Sequence, residues 1–401
     1  MERGSFQGMK SLNKSIILTK ILNDGPISRA QIAKETKLTP PTVGSLVKEL
    51  IDQKIVKEST QGTSKGGRKP TMLVIDHKAY YMIGIDAGPR KIEVILTDLL
   101  GHIVDVKQVN LLLPITEEAF LQTLIQSIET MLSDYSHLSE DIIGIGVAMH
   151  GVVDSDSGTA LYAPNLDLHN MPVEETLSNH FSYLVKVEND ARALALAETW
   201  FGKAKDTDRL VVVNIGTGVG AGVVIEGELY RGESHIAGEM GHMTIDLNGE
   251  VCSCGNRGCL QTLISGPSIA RRARREINRG QSSVLADEKE ITAQVVYEAA
   301  ENQDLLAIDL LKWTGFYLGV GLTNIIHTIN PGQIILNGGV SKSAEYLLPT
   351  VRETVGERAL TDSAKETPIH VSDLGDESTS LGAVALVLDE LFATNGELNR
   401  S

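Results

Sequence analysis

Two segments of this chain, about 130 residues apart, are built to one plan, and that repetition restricts the available folds more than any other feature. The first runs Met82-Ile83-Gly84-Ile85-Asp86-Ala87-Gly88, continues from Lys91 to Leu99, turns at Gly101 and resumes at Ile103. The second runs from Val211 through Asn214-Ile215-Gly216-Thr217-Gly218-Val219-Gly220-Ala221-Gly222 to Ile225, and turns at Gly227 before a third short strand. Helical patterns intervene at Glu117 to Tyr135, Ala191 to Phe201 and Leu305 to Thr328. A strand–glycine–strand–turn–strand unit used twice among helices predicts a duplicated α/β core with two lobes. Such glycine turns bring backbone N–H groups close to a phosphate, and they serve a tight hairpin equally well.

At 401 residues the chain exceeds what one hydrophobic core supports, so at least two domains are expected. A hydrophobic content of 42% argues against wholesale disorder. No run of about 18 consecutive apolar residues is present, and the first twenty residues lack the pattern of a secretory signal. The expectation is a cytoplasmic protein with no membrane partner. The net charge of −16 is unevenly spread: residues 1–75 carry 13 Lys and Arg against 6 Asp and Glu, and the remainder nets −23. Such a distribution suits a small basic head that approaches a polyanion while an acidic body does not.

The head reads as a winged helix-turn-helix. A helix over Leu12 to Leu22 ends at Asn23-Asp24-Gly25-Pro26. Ser28 then has the character of an N-cap, with Gln31 placed to close a capping box and Ile27 and Ile32 to staple it. The signature recurs with Thr39 as cap, Pro40 at the first helical position and Leu38 against Val43. In the second helix, Pro40 to about Gln53, Val43, Leu46, Val47 and Leu50 face inward. Pro41, Thr42, Ser45 and Lys48 face outward, where a major groove would lie. Strands at Ile55 to Ser59 and Thr71 to Ile75 flank a basic glycine-rich wing, residues 60–70, with Lys65, Arg68 and Lys69. Ser28, Arg29, Gln31 and Thr39, at the helix starts, complete the expected DNA-binding set.

All three cysteines lie in one spacing with a histidine: His242, then Cys252, Cys254 and Cys259, or H-x9-C-x-C-x4-C. One imidazole and three thiolates suit tetrahedral Zn²⁺, and four protein ligands leave no open position, so a structural zinc is predicted. The second ring nitrogen of His242 is then available to a neighbouring pocket.

These residues together resemble the ROK family (repressors, open reading frames, kinases), above all its repressor branch and, within it, the xylose-operon repressors of Gram-positive bacteria. The resemblance rests on Gly25-Pro26-Ile27-Ser28-Arg29-Ala30, Gly66-Gly67-Arg68-Lys69-Pro70, Gly238-Glu239-Met240-Gly241-His242-Met243-Thr244-Ile245-Asp246 and the segment Cys252 to Cys259. It implies a sugar-kinase/actin-like pair of α/β lobes with a sugar cleft between them. By resemblance, Asn189 and Asp190 of Glu188-Asn189-Asp190 would bond sugar hydroxyls, Asp190 being the general base in the kinases. Glu239 and His242 would be further sugar contacts, and Asn165 would line the pocket. Two departures stand out. Gln261 occupies the position where the family carries a Glu that contacts the sugar. The first phosphate loop reads Asp86-Ala87-Gly88-Pro89-Arg90-Lys91, with Pro89 where a glycine belongs.

The expected organisation is a DNA-binding head over residues 1–75 and a sugar-binding body over 76–401. One lobe would comprise about 76–190 plus the C-terminal helix, and the other about 191–378. The expected function is a sugar-responsive repressor, not an enzyme. It would bind operator DNA as a homodimer or dimer of dimers and be released by xylose or a related aldose. An ATP-dependent sugar kinase is the alternative, as is a repressor controlled by a sugar phosphate or a partner protein. The apolar run Leu381 to Leu388 is a candidate for either the dimer contact or core packing.

Overall fold

The computed structural model describes residues 6–61, 70–205 and 207–393. The head comprises α1 (Phe6–Asp24), β1 (Ile27–Ser28), α2 (Arg29–Thr36), α3 (Pro40–Asp52), β2 (Val56–Gln61) and β3 (Thr71–Ile75). Ile17, Leu18 and Ile21 of α1 pack with Ile32 of α2 and with Val43, Leu46, Val47 and Leu50 of α3, all buried. Both caps form: Ser28 Oγ accepts the Gln31 N–H at 3.2 Å, and Thr39 Oγ1 accepts the Thr42 N–H at 3.4 Å. The box around Ser28 does not close. The Gln31 amide donates instead to Glu35 at 2.9 Å, a partner one helical turn on. β1 escapes a reading of periodicity because two residues carry no alternation; it exists through its pairing of Ile27 with Leu73. β3 lies central in the order β1-β3-β2, as the sheet of a winged helix-turn-helix requires. The wing residues Lys65, Arg68 and Lys69 lie outside the described residues.

The body follows with β4 (Tyr81–Ala87), β5 (Lys91–Asp98), β6 (Ile103–Asn110), α4 (Glu117–Asp134), β7 (Ile142–Met149), β8 (Val152–Asp154), β9 (Thr159–Ala163), β10 (Leu168–Pro172), α5 (Val173–His180), β11 (Leu184–Asn189) and α6 (Asp190–Trp200). Then come β12 (Arg209–Ile215), β13 (Val219–Ile225), β14 (Glu228–Leu229), α7 (Gln261–Ile264), α8 (Gly266–Asn278), α9 (Ala293–Glu301), α10 (Leu305–Ile329), β15 (Gln333–Asn337), α11 (Ala344–Arg358), α12 (Asp362–Lys365), β16 (Ile369–Val371) and α13 (Ser378–Ala393).

The repetition in the sequence is a repetition of topology. One sheet has the order β11-β7-β4-β5-β6 and the other β14-β13-β12-β15-β16. In each, an antiparallel three-strand meander is extended on one side by two parallel strands. A small third sheet, β10-β9-β8, sits beside the first.

Helix α13 returns from the end of the described chain to pack on β4, β7 and α6. Its approach is too close for side chains: a Cβ on Gly84 would lie 2.2 Å from the Ser380 carbonyl oxygen, and one on Gly146 1.8 Å from that of Ala383. Leu381 through Leu388 are all buried, so this run serves core packing and presents no interface. Helix α10 has the length and apolarity of a membrane span, yet Leu310, Leu311, Leu318 and Leu322 are buried in the second lobe's core. One apolar cluster joins head and body, running from Ile17, Leu46 and Leu50 to Met82, Leu194 and Leu388.

Candidate functional site

Two parallel strands of the first sheet, β7 and β11, end side by side, with Met149 paired to Asn189. The residues just past their ends therefore converge. Asn189 caps α6, accepting the Arg192 N–H at 3.1 Å, while its amide donates to the Gly151 carbonyl at 2.8 Å and to Asp190 Oδ1 at 2.9 Å. Both donors of Asn189 are thus engaged inside the protein, and the residue is buried. Asp190 Oδ1 also accepts the Ala191 N–H at 2.8 Å, which leaves Oδ2 facing His150 Nδ1 at 3.9 Å. The Asn165 amide meets His150 Nε2 at 2.9 Å. With that nitrogen accepting, a neutral His150 carries its proton on Nδ1, toward Asp190. The result is a polar chain Asn165–His150–Asp190, and His150 is the member that no sequence motif marked.

Glu239 arrives from the second lobe. Burial, together with the nearby Asp190 carboxylate, raises its pKa above the usual carboxylate range. Asp86, at the end of β4, is pushed up to about 7 by burial and by Asp190 and Glu93. Asp190 therefore lies in electrostatic reach of carboxyl groups from both lobes. Glu188 anchors the whole turn: one carboxylate oxygen accepts from Ser155 (2.9 Å), the Asn189 N–H (2.8 Å) and Arg192 Nε (2.6 Å), the other from Arg231 Nε (2.7 Å). Arg192 and Arg231 in this role went unmarked in the sequence, because the long-range contacts that define it have no spacing.

The four predicted metal ligands come together. His242 ends a single helical turn, Met240–His242, and the cysteines follow on a loop tied by the bridges Thr244 to Cys259 and Val251 to Arg257. At Gly258 a Cβ would lie 1.5 Å from the Asp246 carbonyl oxygen, so only glycine lets this loop close. All four ligand atoms fall within 4.8 Å of one another. Cys254 and Cys259 sulfurs are 3.7 Å apart, and Cys252 Sγ lies 3.7 Å from His242 Nδ1. A tetrahedral ion with ordinary Zn–S and Zn–N bonds sets these separations at about 3.8 and 3.6 Å. The spacing excludes a disulfide. Burial acts to raise the Cys252 thiol, but hydrogen bonds from Cys254 outweigh it and hold its pKa at about 6. The donor set fits zinc. His242 Nε2 points back to Glu239 at 3.8 Å, which links the four-ligand cluster to the carboxyl group near Asp190. Gln261, where the resemblance implied a sugar contact, donates from Nε2 to Cys252 Sγ at 3.0 Å.

On the head, Pro41, Ser45 and Lys48 are exposed along one side of α3, with Thr42 half-buried and bonded to Thr39 at 2.8 Å between hydroxyls. Ser28 is occupied as a cap, and Arg29 is paired with Glu58 at 2.9 Å. Arg29, Lys48, Lys54 and Lys57 line one shallow groove between the helices and β2. Lys54 and Lys57 were not singled out in the sequence because no capping or groove-facing pattern includes them.

Residues 82–390 match the ROK family, and residues 16–57 match a winged helix-turn-helix DNA-binding family. The chain is 36% identical to the xylose repressor of Bacillus subtilis (strain 168) over 384 residues, 96% of this chain and 97% of that protein. It is 31% identical to the DNA-binding transcriptional dual regulator NagC of Escherichia coli (strain K12), over 96% of this chain and 94% of that one. The crystal structure of a ROK family transcriptional regulator, a homolog of the E. coli MLC protein, superposes with a TM-score of 0.86 at 29% identity. That alignment covers 97% of this chain and 98% of the other.

Proposed function

The chain belongs to the ROK family, and we propose that it acts there, in the cytoplasm, as a transcriptional repressor whose hold on operator DNA is released by a small sugar, xylose or a related aldose. The observation that carries this reading is the meeting of Asn165, His150 and Asp190 from one lobe with Glu239 from the other, in a body fused to a DNA-binding head. A polyol presents a ring of hydroxyls that each need a donor or acceptor, and this set supplies both. Sugar bonded to Asp190 and Glu239 together favours one spacing of the lobes. The apolar cluster shared with the head carries that preference to the DNA-binding helices.

In a homodimer or dimer of dimers, two copies of α3 would occupy successive half-sites, and the sugar-bound body would hold them at the wrong separation. Zn²⁺ on His242, Cys252, Cys254 and Cys259 would supply structural order, fixing the loop and orienting His242 toward Glu239. Xylose is favoured by the B. subtilis relative; NagC, also aligned over most of its length, keeps other aldoses and their derivatives in the test panel.

A kinase would need the loop after β4 to cradle phosphate. Here the Gly88 N–H is spent on the Lys91 carbonyl at 3.1 Å and Pro89 has no N–H, so the loop is a poor anion nest despite the base-like Asp190. The Bacillus subtilis and Escherichia coli relatives, which align over nearly the whole chain, are named as regulators. The deciding experiment selects an operator from a duplex library with the purified chain, then measures its affinity across a panel of aldoses, sugar phosphates and N-acetylated sugars. Release by xylose or a near relative is expected. Indifference to every free sugar, or phosphate transfer from ATP to a sugar that Asp190→Asn abolishes, overturns the reading.

A further inference from the structure

Five residues separate the wing strand β3 from β4, the first strand of the body, and this linker carries His77. Its backbone is pinned: the Leu99 N–H donates to the His77 carbonyl at 3.1 Å. Asp98, at the end of β5, is buried to 6% exposure. One of its carboxylate oxygens accepts the N–H groups of Leu100 (2.9 Å) and His102 (3.0 Å), which fixes the turn and aims the other oxygen outward. That second oxygen meets two imidazoles, His77 Nδ1 at 2.6 Å and His102 Nδ1 at 3.0 Å. The two rings stand edge to face, with centroids 5.6 Å apart. The three side chains thus aim three ligand atoms at one point from two separate segments, and His102, at 68% exposure, leaves that point open to water.

From this geometry we infer that His77, Asp98 and His102 form a second metal site, for an exchangeable divalent transition ion, which ties the linker below the DNA-binding head to the first sheet of the body. Two imidazoles and one carboxylate suit Zn²⁺, Co²⁺ or Ni²⁺; Mg²⁺ and Ca²⁺ require shells of oxygen that this cluster lacks. Ligand atoms about 2.1 Å from a tetrahedral ion sit about 3.4 Å apart, so entry requires an opening of under about 1 Å. The exposed His102 side chain supplies that movement. To ligate, each imidazole presents the Nδ1 lone pair to the ion and carries its ring proton on Nε2. The carboxylate is already ionised, and water completes the coordination.

The test uses the full chain with its cysteine site saturated with zinc and free metal removed, titrated with Co²⁺ by calorimetry and visible absorption. Wild type takes up one further equivalent, with the weak bands of a sulfur-free site. His102→Ala and His77→Ala each weaken that uptake by about tenfold or more while retaining the cysteine-bound zinc, which reports an intact body. No further equivalent in wild type overturns the inference. So does a further equivalent that survives in either variant, which would place the ion elsewhere, such as at the half-buried cluster of Asp154, Asp156 and His235.

Discussion

Replacing Glu188 with Gln removes one charge from the best-connected buried carboxylate near the cleft. Glu188 is fully buried and accepts from Arg192 Nε at 2.6 Å and Arg231 Nε at 2.7 Å. Every group facing it is a donor, so an amide in either orientation points its own N–H at another donor. Stripping one partner from a buried ion pair costs about 3–5 kcal/mol. Arg192 keeps the Val153 carbonyl at 2.9 Å, which places the loss toward the lower end, about 3 kcal/mol. With a urea slope of about 3 kcal/mol/M, the unfolding midpoint of Glu188→Gln falls by about 1 M. The matched control is Arg231→Ala. Its side chain is 36% exposed against 2% for Arg192, so solvent already screens it and the expected loss is about 1 kcal/mol. Sugar affinity should fall in Glu188→Gln as well, since the turn it holds carries Asp190. A midpoint shift below about 0.3 M, or equal shifts for the two variants, would refute the assignment of Glu188 as the anchor.

Asp86 gives a pH dependence of defined sign. Its folded pKa of about 7 exceeds the ordinary 3.8, so between those values the folded chain binds more protons than the unfolded one and stability falls as pH rises through that window. Asp86→Asn should flatten this decline in urea titrations from pH 4 to 8, and equal slopes in the two proteins would contradict it. Cys254→Ser should lose its zinc, measured by atomic absorption, and weaken sugar binding through His242 and Glu239; a zinc-free wild type that binds sugar normally would refute the link. Lys48→Ala and Arg68→Ala should each reduce the salt dependence of operator binding by about one unit of slope, and an unchanged slope removes that residue from the phosphate contacts.

What could be read in advance was whatever the chemistry made periodic or local. The inward set Val43, Leu46, Val47 and Leu50 follows helical spacing, and the structure buries all four. The cysteine–histidine spacing named four ligands that do converge. The doubled meander was visible because glycine turns punctuate alternating strands. Side-chain choices among several nearby partners were not legible. The spacing offers Gln31 the Ser28 N–H, but its side chain takes the Glu35 carboxylate on the same helix face. Gln261 is drawn to a thiolate-prone sulfur at 3.0 Å, which the linear sequence does not place beside it. His150 and Arg231 owe their positions to strand register and to a loop crossing between lobes, and neither leaves a local pattern.

The packing of α13 sets a timetable for the newborn chain. The first sheet is completed by β11, but the helix that seals it against bare glycine backbone begins at Ser378, 189 positions later. At ribosomal speeds of about 5–20 residues per second, the face around Gly84 and Gly146 waits roughly ten to forty seconds for its cover. During that interval it is a surface that chaperones must shield, and premature termination near the 3′ end of the message would leave the first half of the body permanently unsealed.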